Sequence, residues 1–193
     1  FADMLRVHAV EKLGITHLTA RVKYTHNHQP GDIGSLATTE GEIAGDLFID
    51  CSGARSLLLG EHFGIPINHK QHILFNDSAI AAQVPYASAD ADIASCTLST
   101  AKDAGWIWDI GLPTRRGTGY VYSSAHTSEE RAQENLRHYV AASAGEAVAE
   151  RLETKKIRYT PGHREKFWHK NCVAIGMSAG FIEPLEASAL VLV

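Results

Sequence analysis

The chain has 193 residues, a formal net charge of −4 and an apolar fraction of 45%, which is long enough and apolar enough to bury a core and rules out a disordered segment. The mild negative balance offers no clustered Lys/Arg footprint, so neither nucleic acid nor an anionic membrane is assigned as a partner. No apolar run approaches the roughly 20 residues of a bilayer span, and the widely spaced Cys51, Cys96 and Cys172 suggest neither a disulfide framework nor a zinc site, which points to a reducing, cytoplasmic setting.

The first element is a helix over FADMLRVHAVEKLG, where Phe1, Met4, Leu5 and Ala9 recur at helical spacing and Gly14 ends the run. ITHLTARVKY then alternates as a strand, and THNHQPGDIGS reads as a loop with Pro30, Gly31 and Gly34 as breakers. The opening inside an element, and the uncapped apolar ending ALVLV, lead us to expect that both ends are cuts.

TTEGEIAGDLFIDCSGARSLLLGEHFGIP gives a short strand, the buried strand DLFID, a tight turn at Gly53 and a helix to about Gly64, which is a β-turn-α unit. From about Ile67 to Ser124 the strands NDSAIAAQVPY, IASCTLSTA, GWIWDIGL and GTGYVYSS predict an antiparallel sheet. TSEERAQENLRHYVAASAG is a helix with Thr127 and Glu130 in capping-box spacing and Leu136, Tyr139 and Val140 on one face, and a shorter helix follows to about Glu153. KKIRYTPGHRE returns as a strand with a Pro161-Gly162 turn, NCVAIGMSAGF as a buried strand with a glycine turn, and EPLEASALVLV opens a last helix. The expected fold is α/β, with a sheet inserted between two βα units.

Four features carry chemistry. Asp50 and Gly53 come off a buried strand into a turn suited to a dinucleotide's ribityl or phosphate chain, and Gly176 and Gly180 mark a second such turn; an ordinary βα turn would look the same. Open α/β sheets bind ligands outside the carboxyl ends of their strands, so the two turns are expected on neighbouring strands. In GFIEPLEAS, Pro184 suits the first helical position, leaving the amides of Glu186, Ala187, Ser188 and Ala189 free to face an anion. Glu183 and Glu186 lie three apart, one of them available as a base, although both equally suit a helix N-terminus without any function. Trp106 and Trp108 project to one face of a strand as a flat wall. His26, His28, His62, His69 and His72 lack a metal-ligand pattern, and no metal is assigned.

GWIWDIG resembles the Trp-x-Trp-x-Ile-Pro signature of flavin-dependent halogenases of the tryptophan-halogenase type, and it stands between DLFIDCSG and GMSAGFIEPLE as it does in that family. FNDSAIAAQVPY and RYTPGHREKFW are also similar to it, so the resemblance covers nearly the whole chain. It implies part of an FAD-binding, monooxygenase-like fold of the glutathione-reductase Rossmann type. Residues 1–66 would be a partial FAD-binding lobe, 67–165 a substrate lobe of sheet and helices, and 166–193 the return to the FAD-binding lobe.

The resemblance also implies reduced FAD from a separate flavin reductase, and chloride or bromide oxidised to hypohalous acid that reaches an electron-rich aromatic such as tryptophan or another indole. A homodimer is one assembly open to such an enzyme. Carried over by position, Glu186 matches the active-site glutamate, the amides of Ser188 and Ala189 the halide pair, and Trp106 and Trp108 the barrier between substrate and flavin. Asp50, Gly53, Gly176 and Gly180 fall in the flavin strands and turns. The usual Ser-Thr-Gly after the glutamate is Ala187-Ser188-Ala189 here, and Gly111 replaces the signature proline. The family's Gly-rich motif and catalytic lysine find no match, so the chain by itself is expected to be inactive. Aromatic hydroxylation by a flavin monooxygenase and a merely cofactor-binding fragment are the competing readings.

Overall fold

The computed structural model describes residues 1–28, 31–88 and 90–182. Helix α1 (Ala2–Leu13) ends where expected, at Gly14, whose φ of 67° lets its N–H return to the carbonyl of Ala9. None of its residues is buried, and Met4, Leu5, Val7 and Val10 are all exposed.

Strands β1 (Val22–Asn27), β2 (Ile33–Thr38) and β3 (Gly41–Ala44) form an antiparallel sheet in that order. The strand expected over 15–24 begins only at Val22, and it runs on through Thr25, His26 and Asn27, expected as loop. Pairing explains the shift: Thr25 stands opposite Leu36 and His26 opposite Ser35, so backbone partners on β2 extend a largely exposed edge strand that side-chain alternation does not mark.

Strand β4 (Phe48–Asp50) leads into a 3₁₀ turn (Gly53–Arg55) and then a π-helix (Leu57–His62), where the sequence predicts one continuous helix. Local side chains cause the change. Ser52 Oγ takes the N–H of Leu57, Asp50 takes those of Leu58 and Leu59, and Ser56 sits at φ 48°, so the Ser56 carbonyl receives both the Gly60 and the Glu61 N–H and the turn widens past α register. The N–H groups of Glu61 and Phe63 bond instead five residues back, to Ser56 and Leu58.

After β5 (Ile67–His69) come β6 (Ser78–Val84), β7 (Leu98–Lys102), β8 (Gly105–Leu112) and β9 (Arg115–Tyr122). Helices α2 (Glu129–Ala144) and α3 (Glu146–Glu150) precede β10 (Thr154–Arg158), which completes an antiparallel sheet of order β10–β6–β9–β8–β7. Helix α2 starts one residue later than its capping-box pattern suggests: Ser128, not Thr127, is the cap, its hydroxyl accepting the N–H of Arg131. Helix α3 stops at Glu150, short of Glu153. Ala132, Leu136 and Val140 of α2 bury against Ile80, Val84, Ile107 and Tyr120 of the sheet.

Strands β11 (Gly162–Arg164), β12 (Trp168–His169), β13 (Cys172–Ala174) and β14 (Gly180–Phe181) build two small sheets, β14–β11–β5 and β12–β13–β4. A 3₁₀ turn, Gly176–Ser178, joins β13 to β14. A second core, with Ile33, Phe48, Leu58, Leu59, Cys172 and Ala174, lies beneath these segments.

Candidate functional site

Strands β4 and β13, more than a hundred residues apart in sequence, pair in parallel, with Phe48 opposite Cys172 and Asp50 opposite Ala174. Their following turns therefore leave the same carboxyl end side by side, where an open α/β sheet binds a ligand. Gly53 (φ 75°) and Gly176 (φ 57°) occupy left-handed conformations that an L side chain tolerates poorly. Among the described residues, apart from each glycine's own chain neighbours, no atom lies within 4 Å of where a Cβ would stand on either, so the bare backbone of both turns opens outward. Gly180 differs: a Cβ there would meet the Gly162 carbonyl at 2.5 Å and the His163 Cα at 2.6 Å. Its missing side chain serves the close packing of β14 on β11 rather than an open cofactor face.

Beneath the turns the Asp50 side chain is buried at 1% exposure. Its Oδ1 accepts from the Ser52 amide (3.0 Å), the Ser52 hydroxyl (2.6 Å) and the Ser178 hydroxyl (3.2 Å). Its Oδ2 accepts from the Leu58 and Leu59 amides (both 2.9 Å) and the Ser56 hydroxyl (3.3 Å). Burial pushes this carboxyl up, and the hydrogen bonds from Ser52, Leu59 and Leu58 more than offset that, leaving it below its ordinary value. A carboxylate has about four lone-pair sites, and six donors fill them. All six donors come from within the protein.

The neighbouring thiols respond to the same charge. Burial first, then Asp50, raises the pKa of exposed Cys51 and pushes that of buried Cys172 to about 11. From the other side Arg164, 9% exposed, donates to the carbonyl of Ile65 (2.7 Å), three residues past the π-helix, and more loosely to that of Ser178 (3.4 Å). Its guanidinium lies against Gly60, where a Cβ would stand 2.5 Å from Nη2. Ser178 and Arg164 were not legible in the sequence as site residues. The one available signal was Ser52, two residues after Asp50, the spacing of an Asx turn.

Trp106 and Trp108 share the face of β8 opposite α2, their rings edge-on with centroids 6.3 Å apart and both partly exposed. Ile107 and Asp109 point the other way, Ile107 into the α2 core and Asp109 to the Tyr139 hydroxyl. Gly119 stands directly across from Trp108 on β9, and a Cβ there would fall 2.2 Å from the indole, so only glycine lets the ring lie against the sheet. Glu183, Glu186, Ser188 and Ala189 lie outside the described residues. Among the described residues no group of three or more His, Cys, Asp or Glu could hold a metal ion, and His62 instead hydrogen-bonds Thr25 and packs on Phe63. No helix among them is long and apolar enough to cross a membrane.

The tryptophan halogenase family profile matches residues 1–193. The chain belongs to the tryptophan halogenase family. A 7-chloro-L-tryptophan 6-halogenase of Kutzneria is 43% identical over 98% of the chain and 36% of its own length. Among solved structures, a tryptophan halogenase of Shewanella frigidimarina matches the whole chain at 55% identity and a TM-score of 0.93, covering 36% of that protein. A flavin-dependent halogenase of Brevundimonas matches 99% of it at 36% identity and a TM-score of 0.87, covering 38% of its own chain. The α/β architecture of a flavin-dependent halogenase is thus the fold of this chain. The chain spans about a third of the length of the curated relatives it matches.

Proposed function

We propose that this chain is part of a flavin-dependent halogenase that uses reduced FAD, oxygen and chloride or bromide to halogenate an electron-rich aromatic, with tryptophan or another indole as the substrate class. The observation that carries the FAD assignment is the pair of outward-opening glycine turns on the parallel strands β4 and β13. Their backbone permits the close approach a dinucleotide needs, and the residues present fit that group. When bound in reduced form, FAD supplies the electrons with which oxygen converts halide to hypohalous acid.

The chain's own residues take several of the remaining roles. Gly53 and Gly176 admit the cofactor. Trp106 and Trp108 wall it from the substrate and keep bulk water out of the passage between them. Glu186 accepts a hydrogen bond from the oxidant or stabilises the cationic ring intermediate, and the amides of Ser188 and Ala189 hold the halide. A flavin reductase is the required partner, and three free cysteines, two of them exposed, support a reducing cytoplasmic location.

The test is mass analysis of products from the full-length protein supplied with FAD, a flavin reductase, chloride or bromide and tryptophan. A halogenated ring is expected, whereas a hydroxylated one would transfer the assignment to the aromatic monooxygenases. In the same assay, with reduced flavin saturating, Glu186→Gln lowers halogenation by about 10- to 1,000-fold, the range for one acid/base or electrostatic group. Glu183→Gln, which matches no catalytic position, has a much smaller effect.

A further inference from the structure

Asp50 sits under the proposed flavin turns without reaching them. Its six donors use up its acceptor capacity, and at 1% exposure it presents no oxygen to a bound molecule. Five of those donors come from Ser52, Ser56, Leu58 and Leu59, the segment that wraps round the end of β4. The sixth is the Ser178 hydroxyl, from the other turn, which stands equally close to the Gly53 carbonyl at 3.1 Å. Ser178 is itself 1% exposed. One buried hydroxyl, its single proton shared between two acceptors, therefore spans the carboxylate and the Gly53 carbonyl of the turn above it.

We propose that Asp50 is a positioning residue: through Ser178 it holds the Gly53 and Gly176 turns at one fixed separation, and FAD is recognised by that prearranged backbone and not by the carboxylate. The proposal rests on the reading that these turns receive FAD. A dinucleotide touching both turns needs their free backbone faces presented together, and rigidity set before binding lowers the ordering cost of binding. A direct ligand and a positioning residue both lose affinity when Asp50 is changed. They differ at Ser178, which touches Asp50 and Gly53 but is too buried to touch a cofactor.

The experiment uses the full-length protein and the variants Ser178→Ala, Asp50→Asn and the double substitution. Two quantities are read: the Kd for FAD from the flavin absorbance change on titration, and hydrogen exchange at the Leu58 and Leu59 amides without FAD. Losing the shared hydroxyl, one donor of the six, raises the Kd by about 3- to 10-fold, and losing the carboxylate charge, which weakens all six charge-assisted bonds, by about 10- to 100-fold. The double variant binds no more weakly than Asp50→Asn, because both changes cut the same link. Exchange at Leu58 and Leu59 quickens in both single variants.

Unchanged affinity and exchange in Ser178→Ala overturn the positioning role even if Asp50→Asn does not fold, and so do strictly additive losses in the double variant. A wild-type protein that takes up no FAD overturns the cofactor reading itself, and with it this role. Wild-type binding beside an unaffected Ser178→Ala overturns the role alone.

Discussion

Asp109 on β8 and Asp50 at the end of β4 are both buried, at 3% and 1% exposure, yet their surroundings differ in kind. Asp109 faces a cation: Arg116 grips both of its oxygens, and the Tyr139 and Thr118 hydroxyls complete its shell. Asp50 has no Lys or Arg ion pair among the described residues and is held by amides and hydroxyls alone. The first arrangement is a strut, tying helix α2 to the hairpin of β8 and β9 with its charge neutralised. The second gathers a loose segment of backbone around a charge that stays uncompensated, next to turns that open outward. The ion pair at Asp109 joins a helix to a hairpin directly, whereas the anion at Asp50 shapes its own segment and reaches the second turn only through the Ser178 hydroxyl.

The sharpest break in this comparison comes from removing the cation. Arg116→Met leaves Asp109 buried with only two hydroxyl donors, and full-length protein should lose about 3–5 kcal/mol of stability in denaturant unfolding, the cost of orphaning one member of a buried pair. FAD affinity should not move, because the strut lies on the α2 face of the sheet. A large rise in the FAD Kd of this variant would mean the two regions are coupled.

Overpacking the Trp108 contact comes next. Gly119→Ala puts a methyl 2.2 Å from the indole and 2.6 Å from the Ile80 carbonyl, so the ring must lift off the sheet and the paired backbone must shift, at about 1–3 kcal/mol. A shift in tryptophan fluorescence reports the movement, and an unchanged spectrum and stability would show that the ring does not depend on the bare Cα. A fully buried leucine gives a scale for both: Leu136→Ala, in the α2 core, should cost about 2–5 kcal/mol without touching either aspartate.

The smallest effect is on pH dependence. The carboxyl of Asp50 is held below its ordinary value, so its contribution to stability is complete above about pH 4, where the unfolded chain's aspartate is ionised, and is lost as pH falls through the lower native value. The unfolding midpoint of Asp50→Asn should therefore fall less steeply than wild type on acidification below pH 4. Parallel curves would remove Asp50 as a source of acid sensitivity.

The surroundings of Asp109 and Asp50 were unequally visible in the sequence. The strands of the large sheet announced themselves by alternation and turn residues, and the apolar face of α2 by Leu136, Tyr139 and Val140, because burial on one side of a regular element leaves a period. DLFID and NCVAIG were legible as strands, and their pairing followed from the α/β pattern, but DLFID, expected to be buried, is buried on one face only, with Leu47 and Ile49 exposed. The π-helix was not, since Asp50, Ser52 and Ser56 override a stretch whose leucines read as an ordinary helix. Nor was β1 over Thr25–Asn27, whose pairing leaves no mark on polar, exposed side chains. Ser178 and Gly119 carry no local pattern, because each matters through a partner distant in sequence or across a strand.

Cys51 shows what an uncompensated charge does to a sulfur atom. It is exposed at the start of the Gly53 turn, and its thiol pKa is raised, by burial first and then by Asp50. Oxidants attack the thiolate and scarcely the thiol. The carboxylate that helps shape the turn therefore also lowers the thiolate fraction of the cysteine beside it, adding to the effect of burial.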